Sequence, residues 1–233
     1  MIITVGGIKG GSGKSLGATN LAIMRRLAGF DALLVDADDQ KSASEFVAQR
    51  EALGHGSVPC VQLVGKTVRD QVRQLAPRYS DIIIDTGGRD TASQRAALTV
   101  SDLLLLPFQP GNFDIWTLEQ VEALVEDIRS VNDRLRAVAY ISRGLPQGQD
   151  NAEVLKLLHA SAVIEACDVI LTNRKAFNNA AGDGLAVVEA APKPKAERAR
   201  WEKACAEARA LYDLAFDGKT TPQSRQSDGM ATA

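Results

Sequence analysis

The stretch Gly7-Ile8-Lys9-Gly10-Gly11-Ser12-Gly13-Lys14-Ser15 decides the fold. It follows the apolar run Ile2-Ile3-Thr4-Val5 and leads into a helical pattern over 15–28, so it is a glycine loop between a strand and a helix. Glycines in this setting let successive backbone N–H groups turn inward as an anion-binding nest. The helix behind the loop presents its positive end to the same anion. Lys14 adds a mobile positive charge for the β- and γ-phosphate oxygens of a nucleotide, and the Ser15 hydroxyl suits Mg2+. The candidate nucleotide contacts are Lys9, Gly10, Gly11, Ser12, Gly13, Lys14, Ser15 and Leu16.

Working outward, short apolar runs recur at Ala32–Val35, Ile82–Ile84, Leu103–Leu106, Ala137–Ile141 and Val169–Leu171, with a weaker run over Val58–Val64. Most are continuous rather than alternating, which is the pattern of strands covered on both faces. Helical patterns separate them at Gln40–Leu53, Val68–Ala76, Leu118–Val131 and Ala152–His159. The alternation predicts an α/β protein: a doubly wound, mainly parallel sheet with helices on both faces. Ligands of such sheets bind beyond the carboxyl ends of the strands, so residues following each run are site candidates. Asp36, Asp38 and Asp39 follow the second run, and Asp85 follows Ile82–Ile84. A carboxylate after a buried strand, paired with a phosphate loop, is the pattern that holds Mg2+ through water. Gly87 and Gly88 then supply a loop able to move when a phosphate leaves.

The general spacing G-x-x-x-x-G-K-[ST] would place glycine at position 8, where this chain has Ile8, and it carries an additional lysine, Lys9, before a Gly-Gly pair. This K-G-G-x-G-K-[ST] form strongly resembles the deviant Walker A loop of the ParA/MinD family of P-loop ATPases, ParA-type partition proteins above all. Val35-Asp36-Ala37-Asp38-Asp39-Gln40 resembles that family's first switch, with Asp39 standing where relatives commonly have proline. The resemblance implies ATP and Mg2+ as cofactors and ATP hydrolysis as the activity. It assigns Lys9, Lys14 and Asp38 to catalysis, Lys9 reaching the nucleotide of a second subunit and Asp38 positioning the attacking water. It assigns Ser15, Asp38 and Asp85 to the metal, with Asp36 supporting the loop. The segments Ile141-Ser142-Arg143 and Thr172-Asn173-Arg174 fall where relatives form the adenine pocket and its surroundings. Arg89 suits a dimer interface, DNA or plain solvent equally.

Composition narrows the partners. The 233 residues fit one domain over 1–216, ending in a helix over 195–216 with an apolar stripe through Trp201, Ala204, Ala208, Leu211 and Ala215. The Thr-, Ser- and Gln-rich stretch 217–233 is expected to be a disordered tail. Net charge is -2, so any nucleic-acid surface must be a local patch; Lys193, Lys195, Arg198, Arg200 and Lys203 form the candidate, with Arg174 and Lys175 nearby. The three cysteines lack C-x-x-C spacing, and His55 and His159 lack metal-ligand spacing. Trp116 and Trp201 are expected to be packing residues. No apolar stretch reaches the ~18 residues of a membrane span, and the N-terminus does not read as a signal peptide, so a cytoplasmic protein is expected; association with the nucleoid is what the resemblance implies.

The resemblance further implies an ATP-dependent homodimer, non-specific DNA as a surface, and a ParB-like or centromere-binding adaptor that stimulates hydrolysis to segregate or position a plasmid, chromosome or other cargo. A MinD-like ATPase acting without DNA and a P-loop metabolic enzyme stand as alternatives. The membrane-targeting variant of the former is disfavoured because 223–233 contains no bulky amphipathic helix.

Overall fold

A computed structural model describes residues 1–88, 91–112, 115–147, 149–190 and 197–216. Its strands are β1 (Ile2–Val5), β2 (Ala32–Ala37), β3 (Cys60–Gln62), β4 (Asp81–Thr86), β5 (Leu103–Phe108), β6 (Arg136–Gly144) and β7 (Glu165–Thr172). The helices between and after them are α1 (Lys14–Leu27), α2 (Ser42–Ala52), α3 (Thr67–Leu75), α4 (Ala92–Leu98), α5 (Ile115–Arg129), α6 (Asp150–His159), α7 (Lys175–Gly182) and α8 (Arg198–Phe216). The strands form one seven-stranded sheet in the order β3-β2-β4-β1-β5-β6-β7, and every recorded pairing is parallel. Even the weak run over Val58–Val64 supplies a short edge strand.

Successive side chains of a strand point to opposite faces, and here each face has its own helices. Ile3, Val5, Leu34, Ile83, Leu105, Val138 and Tyr140 pack against α1, α2, α7 and α8. Leu33, Val35, Ile82, Ile84, Leu104, Leu106, Ala137 and Ala139 pack against α3–α6 in two adjoining clusters. That double burial is why the runs are continuously apolar.

The base of the sheet, opposite the strands' carboxyl ends, is tied by charge. Arg25 of α1 donates to Asp81 at 2.7 Å and to the Tyr212 hydroxyl at 3.0 Å, and its guanidinium lies 3.3 Å from the Phe30 ring centre. On another side Arg50 makes a paired contact with Glu189, at 2.8 Å for each bond, and also donates to the carbonyls of Gly56 and Gly184. Both arginines are buried but fully engaged, the condition under which a buried charge is tolerated.

One expectation changes. Trp116 is 72% exposed and does not serve as a packing residue, whereas Trp201 is half-buried and donates to the Val187 carbonyl at 2.8 Å. The last helix is described over Arg198–Phe216. Arg89, Lys193, Lys195 and the tail 217–233 lie outside the described residues.

Candidate functional site

Strands β1, β2 and β4 end side by side in parallel, Val5 in register with Asp85 and Asp36 with Asp85. The parallel order therefore brings together residues from three distant parts of the sequence. Between them opens a cleft of about 670 Å³ whose lining includes Gly10, Gly11, Gly13, Lys14, Ser15 and Leu16, Asp38 and Gln40, Gly87 and Gly88, and Arg143. Lys9 and Ser12 line a separate small depression beside Leu106, Pro107 and Phe108. The predicted contacts thus divide between two adjoining surfaces.

The loop's shape has local causes. Gly13 adopts φ 93° as the residue capping α1, and a β-carbon there would stand 2.5 Å from the Ser142 hydroxyl, so backbone conformation and space both require glycine. No side chain caps α1, and its first turn holds no acidic residue, leaving its N–H groups available to an anion. Lys14 bends back and donates to the Lys9 carbonyl at 2.8 Å. Burial lowers the Lys14 pKa, while Asp85 and Asp38 act in the opposite direction.

The segment after β2 is wound around Asp36, which is buried and accepts from the backbone N–H of Asp38 at 3.2 Å and of Ser44 at 2.8 Å. Asp38 accepts from the Gln40 N–H at 3.1 Å, and its carbonyl accepts from the Lys41 N–H at 3.0 Å. Lys41 takes a left-handed φ of 56° at the start of α2. Asp36 therefore supports the loop, and Asp38 is half-buried at the cleft wall.

Asp85 is fully buried, and neither carboxylate oxygen has a hydrogen-bond partner among the described residues. Burial pushes its pKa from 3.8 up to about 7; the nearby Ser15 hydroxyl and Lys14 favour the ionised form, while Asp36 and Asp38 oppose it. An orphaned carboxylate beside a serine hydroxyl and a second aspartate is an all-oxygen donor set, which fits Mg2+. No group of three or more His, Cys, Asp or Glu side chains able to hold a metal exists among the described residues.

Gly88 packs where a side chain would not fit, and Gly87 where one would crowd its neighbour. A β-carbon on Gly87 would lie 3.0 Å from Asp38 Oδ1, and one on Gly88 would lie 2.7 Å from the backbone of Gly10. The loop after β4 thus touches both the phosphate loop and the Asp38 segment. Arg143 enters the cleft from β6 with a left-handed φ of 52°, where β6 and β7 also slip register between Ser142 and Gly144. Such irregularities re-aim side chains at a strand end. Arg174 does not join an open basic surface, because Glu207 holds it at 2.7 Å. Of the proposed basic patch, Arg198, Arg200 and Lys203 are exposed on α8, and Arg198 pairs with Glu202 at 3.1 Å.

A parallel sheet whose first strand runs through a glycine loop into a helix, with aspartates at the ends of two neighbouring strands, is the P-loop nucleotide-binding fold. Residues 3–184 match the CobQ/CobB/MinD/ParA nucleotide binding domain, and the chain belongs to that family. It is 22% identical over 188 residues to the maintenance of carboxysome distribution protein A of Halothiobacillus neapolitanus, covering 80% of this chain and 86% of that one. Among solved structures it is similar to an ATP complex of a Cyanothece McdA variant, with TM-score 0.70 and 15% identity over 95% of this chain and 97% of the other. It is also similar to the Mycobacterium smegmatis cobyrinic acid a,c-diamide synthase with bound ATP analog and magnesium, with TM-score 0.68 and 15% identity over 96% and 98% of the two chains. At these identities the structural likeness speaks for the fold. No helix among the described residues is long and apolar enough to cross a membrane.

Proposed function

We propose that the chain is a ParA-type positioning ATPase, which binds Mg-ATP, closes as a dimer, engages DNA without sequence preference and hydrolyses ATP to release it. The observation that carries this reading is the loop itself: a second lysine, Lys9, stands outside the cleft that Lys14, Ser15 and Asp38 line. Lys9 is exposed beside that cleft, and the family resemblance gives a lysine at this position to the nucleotide of a facing subunit.

In this reading Lys14 leaves the Lys9 carbonyl for the phosphate oxygens, and the uncapped start of α1 receives the same phosphates. Ser15, Asp38 and the buried Asp85 are the residues that would hold Mg2+, which supplies charge neutralisation when bound. Asp38, fixed at both its amide and its carbonyl, orients the attacking water. Gly87 and Gly88 relay the loss of the γ-phosphate. Lys9 from each subunit completes the other's site.

Exposed Arg198, Arg200 and Lys203 on α8, with 193 and 195 in sequence before them, are the proposed DNA contacts. Each subunit offers few phosphate contacts, so doubling them in a dimer raises affinity by ~10²–10⁴. A ParB-like adaptor would set the turnover rate and select the cargo.

The experiment is binding to random-sequence duplex DNA in Mg-ATP and in Mg-ADP across a salt series. Binding confined to ATP and weakening steeply with salt supports the reading. Equal binding in both states, or none in either, removes DNA from the cycle and points to a protein scaffold or a small-molecule substrate.

A further inference from the structure

Helix α4 begins at Ala92, shortly after Gly88, and its third residue, Gln94, is wholly buried. The Gln94 backbone N–H donates to the Thr91 hydroxyl, which starts the helix. Its side-chain Oε1 accepts from the Gly7 N–H at 3.3 Å and lies 3.1 Å from the Thr86 hydroxyl, whose single proton is shared between it and the Val5 carbonyl at 3.2 Å. Gly7 opens the phosphate loop, and Thr86 follows Asp85 at the end of β4. One amide oxygen therefore joins the entry of the phosphate loop, the strand carrying Asp85 and the helix behind Gly87 and Gly88.

The same segment touches the phosphate loop a second time, where Gly88 lies directly on the Gly10 backbone. The far end of α4 is fastened differently. Asn132 donates through Nδ2 to the carbonyls of Leu98 and Ser101, both at 2.8 Å, with no contact to the loop. Gln94 Nε2, by contrast, has no partner among the described residues. A buried amide with its donors unused costs free energy that an apolar side chain of equal size avoids. Packing does not call for an amide here, whereas a link between the loop and the helix does. An unspent donor also means this end of α4 has a bond to gain if it shifts.

We propose that Gln94 is a positioning residue that latches α4 to the phosphate loop, so that occupancy of the γ-phosphate site moves the Gly87–Gly88 segment and α4 together. The latch rests on the proposed ATPase cycle, and its test separates the two.

The test compares wild type, Gln94→Met and Asn132→Leu by steady-state ATP turnover, nucleotide affinity with fluorescent ATP and ADP, and hydrogen exchange of the α4 amides with each nucleotide. Wild type is expected to turn over ATP and to protect α4 more with ATP than with ADP. Gln94→Met is expected to lose that difference and about tenfold in kcat, a barrier rise of ~1.4 kcal/mol, while its ADP affinity stays within about threefold. Asn132→Leu, which loosens the other end of the same helix, is expected to melt earlier yet keep the ATP–ADP difference. If Gln94→Met melts below the assay temperature, Gln94→Asn, which keeps the amide but shortens its reach, is expected to show the same loss of protection. A Gln94 variant with wild-type kcat and protection overturns the latch while leaving the ATPase reading intact. Matching losses in the Gln94 and Asn132 variants overturn it too, as general loosening of α4. Absence of ATP binding by wild type overturns the ATPase reading and the latch with it.

Discussion

Replacing Asp85 with asparagine should make the nucleotide-free protein more stable while disabling it. The Asp85 carboxyl is raised from 3.8 to about 7 by burial, with Asp36 and Asp38 adding to the effect. An acid whose folded pKa lies above its unfolded one destabilises the fold when ionised. The penalty is absent below the unfolded value near 3.8, grows as pH climbs toward 7 and is complete above it. At ~1.4 kcal/mol per tenfold change in acidity, the full penalty is about 4 kcal/mol. Asparagine removes the charge but leaves an amide with unmet hydrogen bonds, which costs ~1–3 kcal/mol in return. The net gain at pH 8 is therefore roughly 1–3 kcal/mol, or a few degrees in Tm for a chain of this length. Urea unfolding in chelator at pH 5, 6, 7 and 8 measures it directly. The Asp85→Asn variant should gain on wild type as pH rises, and added Mg-ATP should reverse the order, because wild type alone gains the full stabilisation of ligand binding. A substitution that is destabilising at pH 8, or whose effect ignores pH, would refute the claim that Asp85 is a buried charge that Ser15 and Lys14 offset only in part.

Three further outcomes follow from named contacts. Gly13→Ala places a methyl 2.5 Å from the Ser142 hydroxyl at a left-handed φ, so nucleotide affinity by calorimetry should fall by two orders of magnitude or more, a loss of ~3 kcal/mol. Lys9→Ala should bind ATP with near wild-type affinity, because Lys9 lies outside the cleft, yet fail to hydrolyse it normally; unchanged turnover would contradict the cross-subunit role. Arg50→Leu strands Glu189 and frees the carbonyls of Gly56 and Gly184, so it should cost ~3–5 kcal/mol in urea unfolding while the nucleotide affinity of the folded fraction holds.

The strands were legible because parallel strands buried on both faces leave continuous apolar runs, and even β3, only Cys60–Gln62, left one. Their spatial order was not, since nothing in a run of Ile82–Ile84 states that it pairs with both β1 and β2. Helices α4 and α7 escaped detection for want of length: at 7 and 8 residues they complete about two turns, too few to display a period. That Lys14, Ser15, Asp38 and Asp85 would lie near one another was legible, because a loop after β1 and aspartates after β2 and β4 share the carboxyl edge of a parallel sheet. Gln94 carried no such mark, as a buried amide in an Ala-rich stretch looks like an ordinary helix residue until its partners are placed. A capping threonine three residues before it was the available signal. Trp116 shows the opposite error, because side-chain size suggested burial and the fold left it exposed beside Ile115.

The central claim is that ATP, and not ADP, closes two copies of this chain around the cleft. Sedimentation velocity on the Asp38→Ala variant, in which hydrolysis is expected to stall, tests it most directly with Mg-ATP against Mg-ADP. The account predicts a dimer with Mg-ATP, a monomer with Mg-ADP, and a monomer in both once Lys9 is also replaced by alanine. A monomer with saturating Mg-ATP, or a dimer indifferent to nucleotide, would contradict it.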